Sequence, residues 1–209
     1  MSDEQKNDTA EIDVRTLPRS QRHRTVFEAY EHLVVDEALV LINDHEPKGL
    51  QEEFERELAG AYNWEPETST DDAYRVRITK LASTALPRIV ADTTALLAGT
   101  DSTTGGSIWQ LEPGARDQDA NIIALPANDE IGMHVGPNLD VLILVLQGSG
   151  QLHTERNVIE LEQGQLLWLP RNAHRRFVAG TDGLRYFTVH HRKPTLNITV
   201  GHTEQKDQD

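Results

Sequence analysis

The chain lacks cysteine: none of its 209 residues carries a thiol. This absence excludes disulfide bonds, thiolate metal ligands, persulfide carriers and cysteine nucleophiles. Long hydrophobic runs are also missing, since no apolar stretch approaches the roughly 20 residues that a bilayer-spanning helix requires. The first residues, MSDEQKNDTAEID, are acidic and polar, the opposite of a secretory signal peptide. We therefore expect a cytoplasmic protein without a membrane segment.

The chain has few positively charged residues. It contains 20 Lys and Arg residues and 34 Asp and Glu residues, which gives a formal net charge of −14. Such a charge repels the phosphate backbone and argues against a nucleic-acid partner. The sequence also has no Gly-rich phosphate loop, Ser-His-Asp arrangement or zincin motif. At this length, the chain can hold one large domain or two small ones.

Changes in composition and periodicity divide the chain into five segments. Residues 1–10 are polar and are predicted to be a disordered tail. Residues 11–80 read as a compact α/β domain, and residues 81–106 as a helical and flexible linker. Residues 107–200 consist of short predicted strands separated by Gly, Pro and Asn, as in an antiparallel barrel. Residues 201–209 form a second polar tail.

The first domain is predicted to be an α+β two-layer sandwich with the order β-α-β-α-β-β. Val26, Tyr30 and Leu33 recur at helical spacing, and alternating residues indicate half-buried strands. The predicted elements are a strand at 12–14, a helix at 21–33 capped by Ser20, a strand at 38–42, a helix at 50–58, and strands at 62–64 and 74–78. In the linker, a helix is predicted over residues 86–97, with Pro87 in its first turn.

Residues 12–18, Arg22-His23 and residues 41–47 carry a resemblance. They resemble an uncharacterised bacterial domain family that is itself similar to the TusA/SirA sulfur-carrier fold, and the similarity covers nearly all of residues 11–80. TusA-type proteins have a Cys-Pro motif at the start of the first helix, whereas this chain has Leu17-Pro18. The sulfur-carrier activity therefore does not transfer, and the resemblance implies a domain that binds a protein partner.

His23, Asp44 and His45 are the candidate site residues of this domain. Asp44 and His45 follow a buried strand at its carboxyl end, where open α/β sheets place ligands. If His23 lies beside His45, the two side chains could bind a metal ion or a small anion. The alternative, which we favour at this point, is that Asn43 and Asp44 cap the second helix while His45 forms local contacts.

The C-terminal segment contains two strong strand signals. Residues 141–146 are apolar on both faces, which predicts a strand between two packed layers. Residues 147–150, Gln-Gly-Ser-Gly, predict a tight hairpin directly after it. Gly164 is expected to supply a turn before a strand at residues 166–169, which Pro170 ends.

Residues 132–148 and 164–174 resemble the two signature segments of the cupin barrel, a double-stranded β-helix. The similarity covers essentially the whole of residues 107–195. In a metal-binding cupin, the first segment supplies His-x-His and a glutamate, and the second supplies another histidine. Here His134 and His174 match the first and last ligands, although His174 lies one residue closer to Pro170 than is usual.

The remaining cupin ligand positions are eroded. Gly136 stands where the second histidine is expected, and Val141 stands at the glutamate position, or Asp140 if the loop is one residue shorter. The resemblance therefore leaves His134, Asp140 and His174 as a weak facial site for Fe, Mn, Ni or Zn, in an enzyme of the dioxygenase or isomerase type. The alternative is that both histidines form hydrogen bonds within a polar interior.

Arginines concentrated around His174 suggest a different use of the barrel. Arg171, Arg175 and Arg176 are its neighbours, and Arg185 is on a nearby predicted strand. Guanidinium groups suit carboxylate or phosphate. A barrel lined by His134, His174 and Arg176, with Arg171 and Arg185 nearby, would hold a small anionic molecule without a metal. Surface pairing with the abundant Asp and Glu is the competing interpretation.

These patterns predict a small-molecule-binding or regulatory protein, in which an interaction domain is joined to a cupin barrel with an anionic ligand. A metal-dependent cupin enzyme is the second hypothesis. Because cupin barrels commonly pair through their outer strands, the resemblance also implies a homodimer.

Overall fold

The structure, a computed structural model, describes residues 9–67, 70, 73–114 and 116–192. The predicted tail at 201–209 lies outside the described residues, as does all but the end of the tail at 1–10. The chain divides into two compact units. The N-terminal unit is Met1–Asp92 with Glu112–Ala115, and the C-terminal unit is Thr93–Leu111 with Arg116–Asp209. No helix among the described residues is long and apolar enough to cross a membrane.

The N-terminal unit has the predicted order of strands and helices. Its elements are β1 (Ala10–Asp13), α1 (Arg19–His32), β2 (Ala38–Asn43), α2 (Lys48–Leu58), β3 (Tyr62–Pro66) and β4 (Tyr74–Lys80). The strands form one sheet in the order β1-β2-β4-β3. β1 and β2 are parallel, and the other two pairs are antiparallel. The prediction of a mixed α+β unit is confirmed.

Phe54 of α2 is the centre of the N-terminal core. Its ring stacks on Phe27 at 4.4 Å and meets the edges of three other rings, those of Tyr30, Tyr62 and Trp64, at 5.2 to 5.7 Å. Apolar side chains of β2 and β4 complete this core: Leu39, Leu41, Val76 and Ile78. The two helices therefore pack on one face of the sheet, as a two-layer sandwich requires.

Both helices of the N-terminal unit begin differently from the prediction. Ser20 is not a cap, because α1 begins at Arg19 with Pro18 in the N-cap position. The N-cap of α2 is likewise a proline, Pro47, and neither cap makes a side-chain hydrogen bond. Proline has no backbone N–H to leave unsatisfied, which suits it to a helix start.

The predicted linker helix is much shorter than expected. Only Thr93–Ala98 (α3) is helical, and the stretch that follows Pro87 is not. The N–H of Leu86 donates to the carbonyl of Ala59 at 3.1 Å, which holds the start of the linker to the end of α2.

In the part of the C-terminal unit that the structure describes, there are seven strands. They are β5 (Gly106–Gln110), β6 (Gln118–Leu125), β7 (Glu130–Val135), β8 (Val141–His153), β9 (Val158–Glu162), β10 (Leu166–Leu169) and β11 (His174–His191). The main path runs β10-β8-β11-β6-β5, while β7 pairs with β11 and β9 with β8. All of these pairs are antiparallel, and the sheet order gives a cupin-like all-β unit.

β8 is one continuous strand, so the hairpin predicted at residues 147–150 is wrong. The strand bends at Gly148, whose φ of 77° only glycine adopts readily. A Cβ atom there would meet the carbonyl oxygen of Gly183 at 2.0 Å. The pairing of β8 with β11 shifts register at this level. The hairpin to β9 comes later, where Thr154 and Asn157 bond to each other. Glycine thus bends the strand and does not end it.

The outward face of β8 is also more exposed than expected. Val141, Ile143 and Val145 are buried, whereas Leu142 is 43% exposed, so the strand does not lie between two packed layers here. Trp168 of β10 pairs with Leu142 and is 62% exposed. The expected homodimer stays a prediction, which the molar mass in solution from light scattering would check.

Candidate ligand site of the C-terminal unit

Arg175 and Arg185 are charged side chains that the C-terminal unit buries. Along the start of β11, Arg175, Phe177 and Ala179 are buried, while the alternate positions are not. Arg176 is at one of these alternate positions, so the expectation that it lines the barrel is wrong. His174 is exposed, but it lines a cavity together with Arg175. Arg175 occupies the usual spacing from Pro170 that His174 misses.

His134 is the polar neighbour of Arg175. The two residues are directly paired between β7 and β11, and the Arg175 Nε donates to the His134 Nε2 at 3.4 Å. The His134 Nδ1 lies 2.8 Å from the carbonyl oxygen of Gly132. Because a carbonyl only accepts, Nδ1 carries the proton and Nε2 is free to accept from Arg175. His134 thus supports the guanidinium as a neutral acceptor.

The charge of Arg175 is not balanced by a carboxylate. The side chain is 9% exposed and forms no ion pair with any residue that the structure describes. Burial lowers the pKa of Arg175, although the nearby Tyr186 opposes the shift. Burial also raises the pKa of Tyr186 to about 12, so this phenol stays neutral. Among the described residues, the Arg175 guanidinium is therefore a buried cation without a carboxylate partner.

Gly136 makes room for this guanidinium. A Cβ atom at Gly136 would lie 2.8 Å from the Cζ and 2.9 Å from the Nη2 of Arg175. A side chain at this position, such as the second cupin histidine, would occupy the same space. Gly136, Val141 and Arg175 provide no side-chain metal donor, and an arginine repels a cation. The residues present do not fit the cupin metal.

The predicted metal set is not assembled. Among the described residues, no group of three or more His, Asp or Glu side chains is placed to hold a metal ion. Asp140 instead accepts a hydrogen bond from the backbone N–H of Arg171 at 2.9 Å. His174 lies 3.7 Å from Glu155 at the surface. The placement of His134, Asp140 and His174 as three metal ligands is therefore corrected: each has a different local partner.

Arg175 lines a cavity of about 460 Å³. Apolar side chains from three strands form much of its wall: Leu152, Ile159, Leu167 and Leu169. Polar residues also line it: Thr154, Glu155, Arg156 and His174. This volume is in the range of small-molecule sites, and an apolar wall with a few convergent polar groups is their usual composition.

The other predicted arginines form hydrogen bonds or ion pairs with protein groups outside the cavity. Arg176 bonds to the carboxylate of Glu130 with both Nε and Nη2. Arg171 is exposed and lies 3.6 Å from Asp140. Arg185 is buried, but its Nη1 and Nη2 donate to backbone carbonyls, those of Asp182 at 2.6 Å and of Asp101. Surface pairing with Asp and Glu, the competing interpretation, therefore describes Arg171 and Arg176 but not Arg185.

The N-terminal candidates do come together. His23, Asp44 and His45 line one cavity of about 660 Å³. The predicted cap is wrong, because Pro47 is the N-cap of α2 and Asp44 binds Arg22. The local contacts predicted for His45 are present: its Nδ1 lies beside Asp44, and its carbonyl accepts from the side-chain amide of Asn43. The cavity lies where β2 ends and the two helices begin, as the carboxyl-end rule predicts.

The fold and sites define a two-unit protein, with an α+β unit followed by a cupin-like barrel that contains a buried arginine. Residues 11–80 match the family model described as "uncharacterized conserved protein (DUF2249)". Residues 122–206 match the model described as "AraC-like ligand binding domain". The chain thus combines a DUF2249 domain with a cupin-like domain. No curated protein matches it.

Solved structures with similarity to this chain include several cupins. A cupin-2 domain protein from Shewanella frigidimarina has 14% identity and a TM-score of 0.40, over 49% of this chain and 95% of its own. A cupin protein from Bacteroides fragilis has 19% identity and a TM-score of 0.35, over 46% of this chain and 82% of its own. The polyketide cyclase RemF from Streptomyces resistomycificus has 22% identity and a TM-score of 0.37, over 46% of this chain and 70% of its own. The identities are too low to transfer an activity.

Proposed function

We propose that the C-terminal unit binds a small organic anion through Arg175, and that the chain is a binding or regulatory protein. One observation carries this proposal: the Arg175 guanidinium is buried beside an apolar cavity, without a carboxylate partner among the described residues. The C-terminal unit matches the family model of an AraC-like ligand binding domain, which supports a binding role. The eroded cupin motif supports a site that works without a metal.

Electrostatics favours an anion as the ligand. A buried charge that lacks a partner is costly, and a charge-assisted bond from a guanidinium to a carboxylate is stronger than a neutral hydrogen bond. An anion in the cavity would supply the missing partner and leave the His134 contact in place. The apolar wall favours a ligand whose body is hydrocarbon, so we expect a carboxylate with an aromatic or aliphatic body.

Calorimetric titration of the full chain with benzoate tests this function, with benzamide as an uncharged analogue of the same shape. We expect benzoate to bind and benzamide to bind at least about tenfold more weakly, since the charge carries the recognition. Arg175→Met should abolish the difference. Arg176→Met is the matched control, because Arg176 is the next residue along the strand and its side chain pairs with Glu130.

Two results would count against this function. One is benzoate binding that survives in Arg175→Met, and the other is equal affinity for benzoate and benzamide. If benzoate fails to bind, a series of aliphatic carboxylates from acetate to octanoate covers other body lengths. If none of these carboxylates raises the melting temperature at concentrations up to about 10 mM, the anion site is also rejected.

The N-terminal unit serves as an interaction module with a TusA/SirA-like fold. The β-α-β-α-β-β order and the parallel β1–β2 pair support this assignment. Without cysteine, the unit cannot carry persulfide, so binding is the role that is left to it. An experimental structure of the chain, superposed on a TusA protein, tests the fold. A different strand order would reject it.

A further inference from the structure

We infer that the N-terminal unit binds a divalent transition-metal ion through the Nε2 atoms of His23 and His45. Both imidazoles line the same cavity, at the start of α1 and in the loop between β2 and α2. This site is separate from the anion site of the C-terminal unit and does not depend on it. Three features support this site: a carboxylate orients each ring, a hydrogen-bond network holds the Asp44 carboxylate in place, and both rings line the same cavity.

Each ring is oriented by a carboxylate at Nδ1. The His45 Nδ1 lies 2.5 Å from Asp44 Oδ1, and the His23 Nδ1 lies 2.6 Å from Glu53 Oε2. An ionised carboxylate only accepts, so both Nδ1 atoms carry protons and both Nε2 atoms have lone pairs when the rings are neutral. Neither Nε2 has a hydrogen-bond partner among the described residues. Metal-binding histidines typically have this carboxylate–imidazole arrangement.

Arg22 holds the Asp44 carboxylate in position. Its side chain is 12% exposed, and its Nη1 donates to both carboxylate oxygens of Asp44, at 2.9 and 3.0 Å. The rest of the guanidinium bonds to the backbone carbonyls of Leu17 and Arg15. This network fixes the Asp44 carboxylate beside the His45 Nδ1, as the acceptor of its proton.

The two rings line one cavity together with residues at the start of α2. The His23 Cε1 lies 3.8 Å from the position of a Cβ at Gly49, so the ring lies against this glycine. His45 is four residues before Gly49, in the loop that leads into the helix. Imidazole suits zinc, copper, nickel and iron. With no group of three protein ligands among the described residues, the ion would keep open positions for water or a small ligand.

Titration of the full, tag-free chain with Co²⁺ tests this site, followed by visible absorption and calorimetry. We expect about one equivalent to bind in the wild type, and affinity to fall at least about tenfold in His23→Ala and in His45→Ala. His32→Ala is the matched control on α1, because its Nδ1 bonds to the helix carbonyl of Glu28. His134→Ala serves as the control in the C-terminal unit. Both controls should bind as the wild type does.

The carboxylates provide a second test that does not remove a ligand. Asp44→Asn and Glu53→Gln keep the size of each side chain but remove its charge, so they should weaken Co²⁺ binding by about 10- to 100-fold. Near-UV circular dichroism of each variant checks the fold, and His45→Gln replaces any alanine variant that unfolds.

Three outcomes would overturn the metal site. The first is that the folded wild type binds no Co²⁺ at concentrations up to about 1 mM. The second is binding that persists in the double variant His23→Ala/His45→Ala. The third is phosphate binding to the metal-free chain that the same two substitutions abolish, which would show that the cavity binds an anion instead.

Discussion

The Cζ atom of Arg175 lies 2.8 Å from the point where a Cβ atom of Gly136 would be. This distance ties the two residues together. A Cβ at residue 136 would force the guanidinium to shift, and a larger side chain such as histidine would compete with it for the same space. The glycine that follows β7 and the arginine of β11 are therefore complementary in size at this point.

Gly136→Ala is expected to displace the guanidinium. The added methyl group would lie within 3.1 Å of three guanidinium atoms, so the side chain must move and lose its contact with His134. Anion affinity should fall about tenfold or more, in calorimetric titration with benzoate. Gly132→Ala is the control on the same strand, because a Cβ there meets nothing within 4 Å. Equal affinities of the two variants would contradict the coupling.

Arg175→Met is expected to stabilise the ligand-free chain. Methionine fills much of the same space without a buried charge, and replacing buried charges by apolar groups is neutral or stabilising by about 1–4 kcal/mol. Arg176→Met should instead lose up to about 1 kcal/mol, since it breaks a partly exposed ion pair. Urea unfolding followed by tryptophan fluorescence measures both free energies. A marked loss of stability in Arg175→Met would indicate a structural role for the arginine.

Much of the fold could be predicted from local patterns. Helical spacing around Tyr30 and alternation in the strands gave the order of elements in the N-terminal unit, and Gly164 and Pro170 marked the limits of β10. Gly148 misled because glycine both ends hairpins and permits bends within strands. Only the pairing partner distinguishes the two, and that partner, Leu184, is distant in the sequence.

The candidate sites could be predicted only in part. His134 was found from the cupin resemblance, and Arg175 was noted merely as a neighbour of His174. A strict count from Pro170 would have singled it out, but a one-residue uncertainty exchanges the two faces of a strand. In the N-terminal unit, Asp44 has the side chain of a helix cap. Its engagement by Arg22, from the other helix, depends on tertiary structure that local patterns do not contain.

Gly148→Ala is expected to destabilise the C-terminal unit by about 3 kcal/mol or more. The new methyl group would meet the backbone carbonyl of Gly183 at 2.0 Å, and backbone atoms cannot yield as a flexible side chain can. Gly164→Ala separates strain from collision, because its φ of 88° is also left-handed but its Cβ would meet nothing within 4 Å. It should cost only about 1–2 kcal/mol. Similar unfolding free energies in urea would show that the contact at Gly148 is easily relieved.

Tyr186 predicts a loss of stability at alkaline pH. Burial raises its pKa to about 12 in the folded chain, against about 10 in an unfolded one. Its contribution to stability is therefore complete below pH 10 and is lost as the pH rises from 10 towards 12, at up to about 1.4 kcal/mol per pH unit. Tyr186→Phe should reduce this slope. Because the charge of Arg175 lowers the pKa of Tyr186, Arg175→Met should raise that pKa further. Absorbance at about 295 nm follows phenol ionisation, and urea unfolding between pH 9 and about 12 gives the slope. A slope that Tyr186→Phe leaves unchanged would show that this tyrosine ionises normally.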